Sequence, residues 1–301
     1  MNTKVKLAGV ELKNPVMVAS GTFGSGAEYS EFVDLNKLGA VVTKGVASVP
    51  WPGNPAPRIA ETASGMLNAI GLQNPGIDLF CKRDLPFLED YDCKVIVNVC
   101  GHSTNEYLEV VERLGDEKRV DMMEINISCP NVKEGGIAFG TNPQTAYDIT
   151  REIKRIARQP VIMKLSPNVT DITEMARAVE AGGADCISLI NTITGMKIDI
   201  ERQCFAIANK TGGLSGPAIK PVAVRMVDQV ANAVKVPIIG MGGIATAADA
   251  IEFMLAGATA VSVGTANFHN PYATMEIAAG IEAYMKRKGI RDINSIIGIV
   301  K

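Results

Sequence analysis

Pro160-Val-Ile-Met-Lys-Leu165, Asp171-Ile-Thr-Glu-Met-Ala-Arg-Ala-Val-Glu-Ala-Gly-Gly183 and Cys186-Ile-Ser-Leu-Ile190 follow one another in the chain and decide its fold. The first and third are short β-branched apolar runs. The middle one has an acidic start, apolar residues at helical spacing and a glycine stop, which together read as a helix. A strand, a helix and a second strand make one parallel crossover unit. Working outward, further runs of the first kind fall at 16–19, 40–43, 94–99, 122–127, 237–240 and 260–263, which brings the strands to eight. Helical patterns separate them near 27–37, 76–89, 104–115, 143–158, 171–182, 217–234, 246–256 and 271–287. Thr246-Ala-Ala-Asp249 reads as an N-cap with an acid at N3, and Asn142 before Pro143 as a cap before a first-turn proline.

Eight strand–helix pairs predict a closed parallel (β/α)8 (TIM) barrel as one domain over residues 1–301. An open doubly wound sheet is the rival, weakened because no Gly-x-Gly-x-x-Gly follows the first strand. Residues 5–14 read as a small hairpin capping the barrel bottom. Two long connections, 47 to about 75 and 192 to about 217, follow the second and sixth strands and are placed to cover the barrel top.

With 47% hydrophobic residues there is ample material for a large core, and a net charge of −2 without a basic block argues against nucleic acid. Aromatic residues at 5% offer no stacking platform for single strands. Six cysteines without a Cys-x-x-Cys pair, and two histidines, argue against a disulfide framework, a zinc site or an iron–sulfur site in this chain. The N-terminus has no apolar signal core and no apolar run reaches a membrane span, so the expectation is a cytoplasmic protein.

In such barrels, chemistry gathers at the C-terminal strand ends. Those ends read Ser20-Gly21, Lys44-Gly45, Asn98, Asn126 with Ser128-Cys129, Lys164, Asn191-Thr192, Gly242-Gly243 and Gly264-Thr265. Polar groups here cost stability unless they are paired or used. The stretch Glu124-Ile-Asn-Ile-Ser-Cys-Pro-Asn131 sets one thiol among amides at a strand end. Cys129 is therefore the candidate general base, a free thiol titrating near ~8.5; an inert core thiol, the reading given to Cys93, Cys100 and Cys186, is the alternative. Gly242-Gly243 and Gly264-Thr265 suit a phosphate tail or, more simply, tight turns. Lys44 and Lys164 read as cations in the mouth, as a Schiff-base lysine of the aldolase kind, or as structural ion pairs. Residues 68–76 form either a grip for a flat ligand or a stack of turns. The histidines are read as surface residues without a role, and a barrel that only binds a partner remains open.

Asn68-Ala-Ile-Gly-Leu-Gln-Asn-Pro-Gly76, Asn126-Ile-Ser-Cys-Pro-Asn131, Lys164-Leu-Ser-Pro-Asn168, Asn191-Thr192, Gly213-Leu-Ser-Gly-Pro217, Gly240-Met-Gly-Gly243 and Gly264-Thr-Ala266 together resemble the dihydroorotate dehydrogenase family, from about residue 5 to the C-terminus. The resemblance implies an FMN-binding barrel that oxidises dihydroorotate to orotate in pyrimidine synthesis. The substrate loses a C5 proton to a base and a C6 hydride to flavin N5. It assigns the base to Cys129 and, where the membrane-bound class has serine, points to a cytosolic class. It places Lys164 beside the flavin pyrimidine ring and Lys44 near flavin and substrate. Orotate falls to Asn68, Ala69, Ile70, Gly71, Leu72, Asn126, Asn131, Asn191 and Thr192. FMN contacts fall to Ser20, Gly21, Lys44, Gly45, Asn98, Asn126, Lys164, Ile190, Gly216, Gly242, Gly243, Gly264 and Thr265. Residues 131–141 and Gln73-Asn-Pro-Gly76 look like the NAD-linked class 1B, whose partner subunit carries FAD and a [2Fe-2S] cluster. That class implies a homodimer within a heterotetramer and a moving segment around Cys129; class 1A, which uses fumarate, is the near alternative.

Overall fold

The computed structural model describes residues 1–128 and 139–300. Eight parallel strands close into a barrel: β1 Val16–Val18, β2 Ala40–Val42, β3 Lys94–Val99, β4 Met122–Asn126, β5 Val161–Lys164, β6 Cys186–Leu189, β7 Ile238–Met241 and β8 Ala260–Val263. Each pairs with its neighbours in the chain, and β8 returns to β1 through Val261↔Val16. Helices on the outside and packed side chains inside bury both faces of every strand. That is why these segments are near-continuous apolar runs rather than alternating ones. The expected hairpin is present: Val5–Leu7 pairs with Val10–Leu12, and Leu7 and Leu12 are fully buried.

Five of the outer helices lie within one or two residues of the sequence expectation: Thr104–Gly115, Pro143–Ile156, Ile172–Ala181, Ala247–Leu255 and Ala273–Lys288. The helix expected at 217–234 begins as a 3-10 turn, Pro217–Ile219, and runs as Lys220–Ala231. That expected at 76–89 is helical but changes pitch, with a π-helical stretch at Phe80–Asp84. The one expected at 27–37 is not an α-helix: it is a series of turns ending in a 3-10 turn, Leu35–Lys37. Its core anchors Phe23, Val33, Leu35 and Leu38 are uneven in spacing and cannot share a helix face. Gly24 and Gly26, at φ of 57° and 103°, break the entry.

The two long connections do cover the barrel top, and they are structured. Ile193–Met196, Thr211–Ser215, Gly65–Asn68 and Ile59–Thr62 make one four-stranded antiparallel sheet. Gly213 pairs with Asn68, so the connection after β6 is hydrogen-bonded to the one after β2. Glycine is required at that joint, because a Cβ at Gly213 would collide with Thr192 Oγ1. Below the sheet, the turn leaving β7 is held by the Thr246 capping box. Asp249 Oδ2 accepts from Thr246 N (2.8 Å), Thr246 Oγ1 (2.9 Å) and Ala245 N (3.1 Å), while Asp249 Oδ1 takes Lys220 Nζ (2.7 Å). Among the described residues no helix is long and apolar enough to cross a membrane.

Replacing Thr246 with Ala removes the cap from the helix that follows β7. Urea unfolding should show a loss of about 1 kcal/mol, and an unchanged midpoint would mean that Asp249 and Lys220 hold the turn without it.

Candidate active site

A cleft of about 340 Å³ opens at the C-terminal mouth of the barrel. That volume lies within the range of small-molecule sites, roughly 300–1,000 Å³. Seven of the eight strand ends reach its lining: Ser20 and Gly21 after β1, Lys44 after β2, Asn126 on β4, Lys164 on β5, Ile190, Asn191 and Thr192 after β6, Gly242 and Gly243 after β7, and Gly264 and Thr265 after β8. The covering sheet and the loops that leave it add Asn68, Ile70, Gly71, Leu72 and Gly216. Most of the residues singled out in the sequence therefore meet in one cavity.

Three do not line it. Ala69 is fully buried, bonded through its backbone to Arg58 O and Asn54 Nδ2. Asn98 is fully buried beneath the floor, and Gly45 backs onto it, a Cβ at Gly45 falling 3.2 Å from Asn98 Oδ1. Cys129 and Asn131 lie outside the described residues. The chain is described up to Ser128, which is buried.

Inside the floor runs a chain of hydrogen bonds, each donor pointing the same way. Asn191 Nδ2 donates to Ser128 Oγ (2.9 Å), and Ser128 Oγ donates to Asn126 Oδ1 (3.0 Å). Asn126 Nδ2 donates to Asn98 Oδ1 (3.4 Å), and Asn98 Nδ2 to Glu124 Oε1 (2.6 Å). Ser188 Oγ donates to Glu124 Oε2 from the other side (2.8 Å). Lys164 Nζ stands 3.8 Å from Glu124 Oε1, and the two residues are 4% and 1% exposed. Strand geometry explains the arrangement. Side chains alternate along β4, so Glu124 and Asn126 share a face, and the register sets Asn98 beside Glu124 and Asn126 beside Lys164.

Sequence reading passed over Glu124 and Ser188. The signal was present: a carboxylate within the apolar run 122–127 must face something polar. Ser215 was also missed; its hydroxyl accepts from Thr265 Oγ1 (2.7 Å) at the cleft wall and ties the covering sheet to β8. His102 is exposed, its ring tilted against Trp51 with centroids 3.9 Å apart, and His269, also exposed, lines the cleft. The Cys186 thiol is pushed up by burial and then by the Glu124 carboxylate, which fits an inert core thiol.

The cleft also suits a phosphorylated flavin. Gly242 and Gly243, at φ of 120° and 81°, let the backbone line the wall between β7 and the helix that follows Thr246. A Cβ on Gly264 would meet nothing closer than Ala19 Cβ at 3.6 Å, so the space above it is open for a group lying against the backbone. The buried Lys164 ammonium faces this space from the floor. Among the described residues no cluster of three or more His, Cys, Asp or Glu side chains could hold a metal.

A family model described as Dihydroorotate dehydrogenase matches residues 2–285. The chain is 72% identical to Dihydroorotate dehydrogenase B (NAD(+)), catalytic subunit, of Lachnoclostridium phytofermentans, over 100% of both chains. It is 65% identical to the protein of that name in Alkaliphilus oremlandii, over 99% of this chain and 98% of the relative. The crystal structure of DHODH from Eimeria tenella in complex with ferulenol has the same fold, with a TM-score of 0.84 at 23% identity, covering 99% of this chain and 88% of that one.

Replacing Asn98 with Ala would leave Glu124 Oε1 without its shortest donor. A buried acceptor so orphaned costs about 1–3 kcal/mol. Chemical denaturation should show that loss; wild-type stability would mean that water or Lys164 takes over the bond.

Proposed function

The chain belongs to the dihydroorotate dehydrogenase family, and on that premise we propose that it is the catalytic subunit of an NAD-linked enzyme oxidising dihydroorotate to orotate in pyrimidine biosynthesis. The observation that carries this reading is the floor of the cleft. A buried ammonium and a one-directional chain of side-chain hydrogen bonds meet in one mouth, and the chain passes from Asn191 through Ser128, next in sequence to Cys129. Amides orient a flat polar ring without adding charge.

Bound FMN would supply a hydride acceptor at its N5. The residues that would hold it are the glycine turns after β7 and β8 with Thr265 and Gly216 for the phosphate, and Lys164, Lys44, Ser20, Gly21 and Ile190 for the ring system. Gly45 and Asn98 would act from behind the wall and floor. Lys164 holds positive charge where negative charge develops on reduction. Asn68, Asn126, Asn131, Asn191 and Thr192, with the backbone of 69–72, orient the substrate ring and its carboxylate, and Lys44 balances that carboxylate. Cys129 Sγ takes the C5 proton. The covering sheet keeps water from the reacting face.

The electrons leave through a partner. Both relatives named above are called catalytic subunits of an NAD(+) enzyme. The reading that follows is a homodimer joined to a cytoplasmic electron-transfer subunit carrying FAD and a [2Fe-2S] cluster. The resemblance of residues 131–141 and Gln73-Asn-Pro-Gly76 to class 1B supports this over the fumarate-using class.

The purified chain should be yellow, and anaerobic dihydroorotate should bleach its flavin band. It should reduce NAD⁺ only with the electron-transfer subunit. Fumarate reduction as fast as dye reduction would move it to the fumarate class, and a colourless protein trapped by borohydride at Lys164 would make it an aldolase. Cys129→Ala should keep the flavin spectrum and lose about 10²–10⁴ in turnover; turnover at the parent rate would remove Cys129 from the role of base.

A further inference from the structure

Among the described residues Glu124 is the one buried carboxylate in the floor, and neither the family resemblance nor the proposed mechanism gives it work. It sits on β4 with both oxygens occupied, one by Asn98 Nδ2 at 2.6 Å and the other by Ser188 Oγ at 2.8 Å. Lys164 Nζ is 3.8 Å from the first oxygen. A carboxylate removed from water costs stability unless a cation and donors compensate it, and an aliphatic side chain would pack in the same space without that cost. Something other than packing accounts for a charge here.

Two features say what that is. A carboxylate can only accept hydrogen bonds, so it fixes the sense of every donor leading to it. Asn98, Asn126 and Ser128 each accept from the side of the cleft and donate toward Glu124, and that sense leaves Asn191 as the outermost donor. An aliphatic residue at the terminus would leave Asn98 Nδ2 with no acceptor there. The second feature is the ion pair. Lys164 is the floor cation, and a carboxylate at 3.8 Å both steers its ammonium and offsets part of its charge.

We propose that Glu124 is a positioning residue that sets the electron affinity of the bound flavin, by holding the Lys164 ammonium in the cleft floor and tempering its charge. This rests on the reading that FMN occupies the cleft. The negative charge that a flavin gains on reduction is favoured by Lys164 and disfavoured by Glu124. Removing the carboxylate therefore makes the flavin easier to reduce, while removing a neighbouring neutral bond does not.

The test is the midpoint potential of the bound flavin, read by dye equilibration under argon in the parent, in Glu124→Gln and in Ser188→Ala. Glutamine keeps the shape and can still accept from Asn98 and donate to Ser188, so it removes charge with little else. The expected result is a rise for Glu124→Gln of about tenfold in the oxidised-to-reduced equilibrium, ~30 mV for a two-electron couple, with Ser188→Ala within about twofold of the parent. An unchanged or lowered potential in Glu124→Gln, or an equal rise in Ser188→Ala, overturns the proposal. If Glu124→Gln does not retain flavin, Glu124→Asp carries the test: its carboxylate, one methylene shorter, withdraws from Lys164, and a smaller rise supports the proposal where a parent value overturns it. A parent protein without flavin would defeat the proposed function, and this inference with it; a flavin-loaded parent with an unchanged variant defeats this inference alone.

Discussion

A carboxylate and an ammonium stand 3.8 Å apart on neighbouring strands within the barrel. Burying such a pair is costly by several kcal/mol for each ion unless attraction and hydrogen bonds offset it. The rest of the site follows from meeting that requirement. Each oxygen of Glu124 accepts a hydrogen bond, one from Asn98 on β3 and one from Ser188 on β6. Asn98 in turn needs a donor, which Asn126 supplies, and so outward to Ser128 and Asn191. The polar floor is one connected object, and truncating any one member takes a partner from its neighbour.

The covering sheet is the second element of the design. Its strands come from two connections far apart in the chain, joined through Gly213 and Asn68. Each connection alone is a pair of short, half-exposed strands; together they make a roof whose inner residues, among them Asn68 and Met66, line the cleft. The hydroxyl pair Thr265–Ser215 then fastens this roof to the last barrel strand. The cavity is thus bounded by rigid strand ends below and a hydrogen-bonded sheet above.

Much of this was legible in the residues. The eight barrel strands could be found because a parallel strand buried on both faces must be an apolar run, and few other segments have that composition. The site was legible because polar residues ending such runs are expensive, so Lys44, Asn126, Lys164 and Asn191 stood out. The covering sheet was not legible. Its strands are short and partly exposed, and its pairing spans more than a hundred residues, so no local pattern announces it. The turns at 27–37 were misread because polar residues between apolar ones mimic a helical period, while Phe23, Val33 and Leu35 are drawn to the core from different directions. Glu124 was in view but was absorbed into the strand. Residues 129–138 lie outside what the structure describes, so the position of Cys129 rests on its place in the sequence.

The account stands on one spatial claim: a flavin lies in the barrel mouth over Lys164, with the sulfur of Cys129 facing it across a flat substrate. A crystal structure of the purified protein soaked with orotate measures this directly. The account predicts flavin density from the glycine turns after β7 and β8 to the Lys164 ammonium, and orotate between the flavin ring and Cys129 Sγ. A cleft holding no flavin, or Cys129 Sγ turned away from the orotate ring, would contradict it.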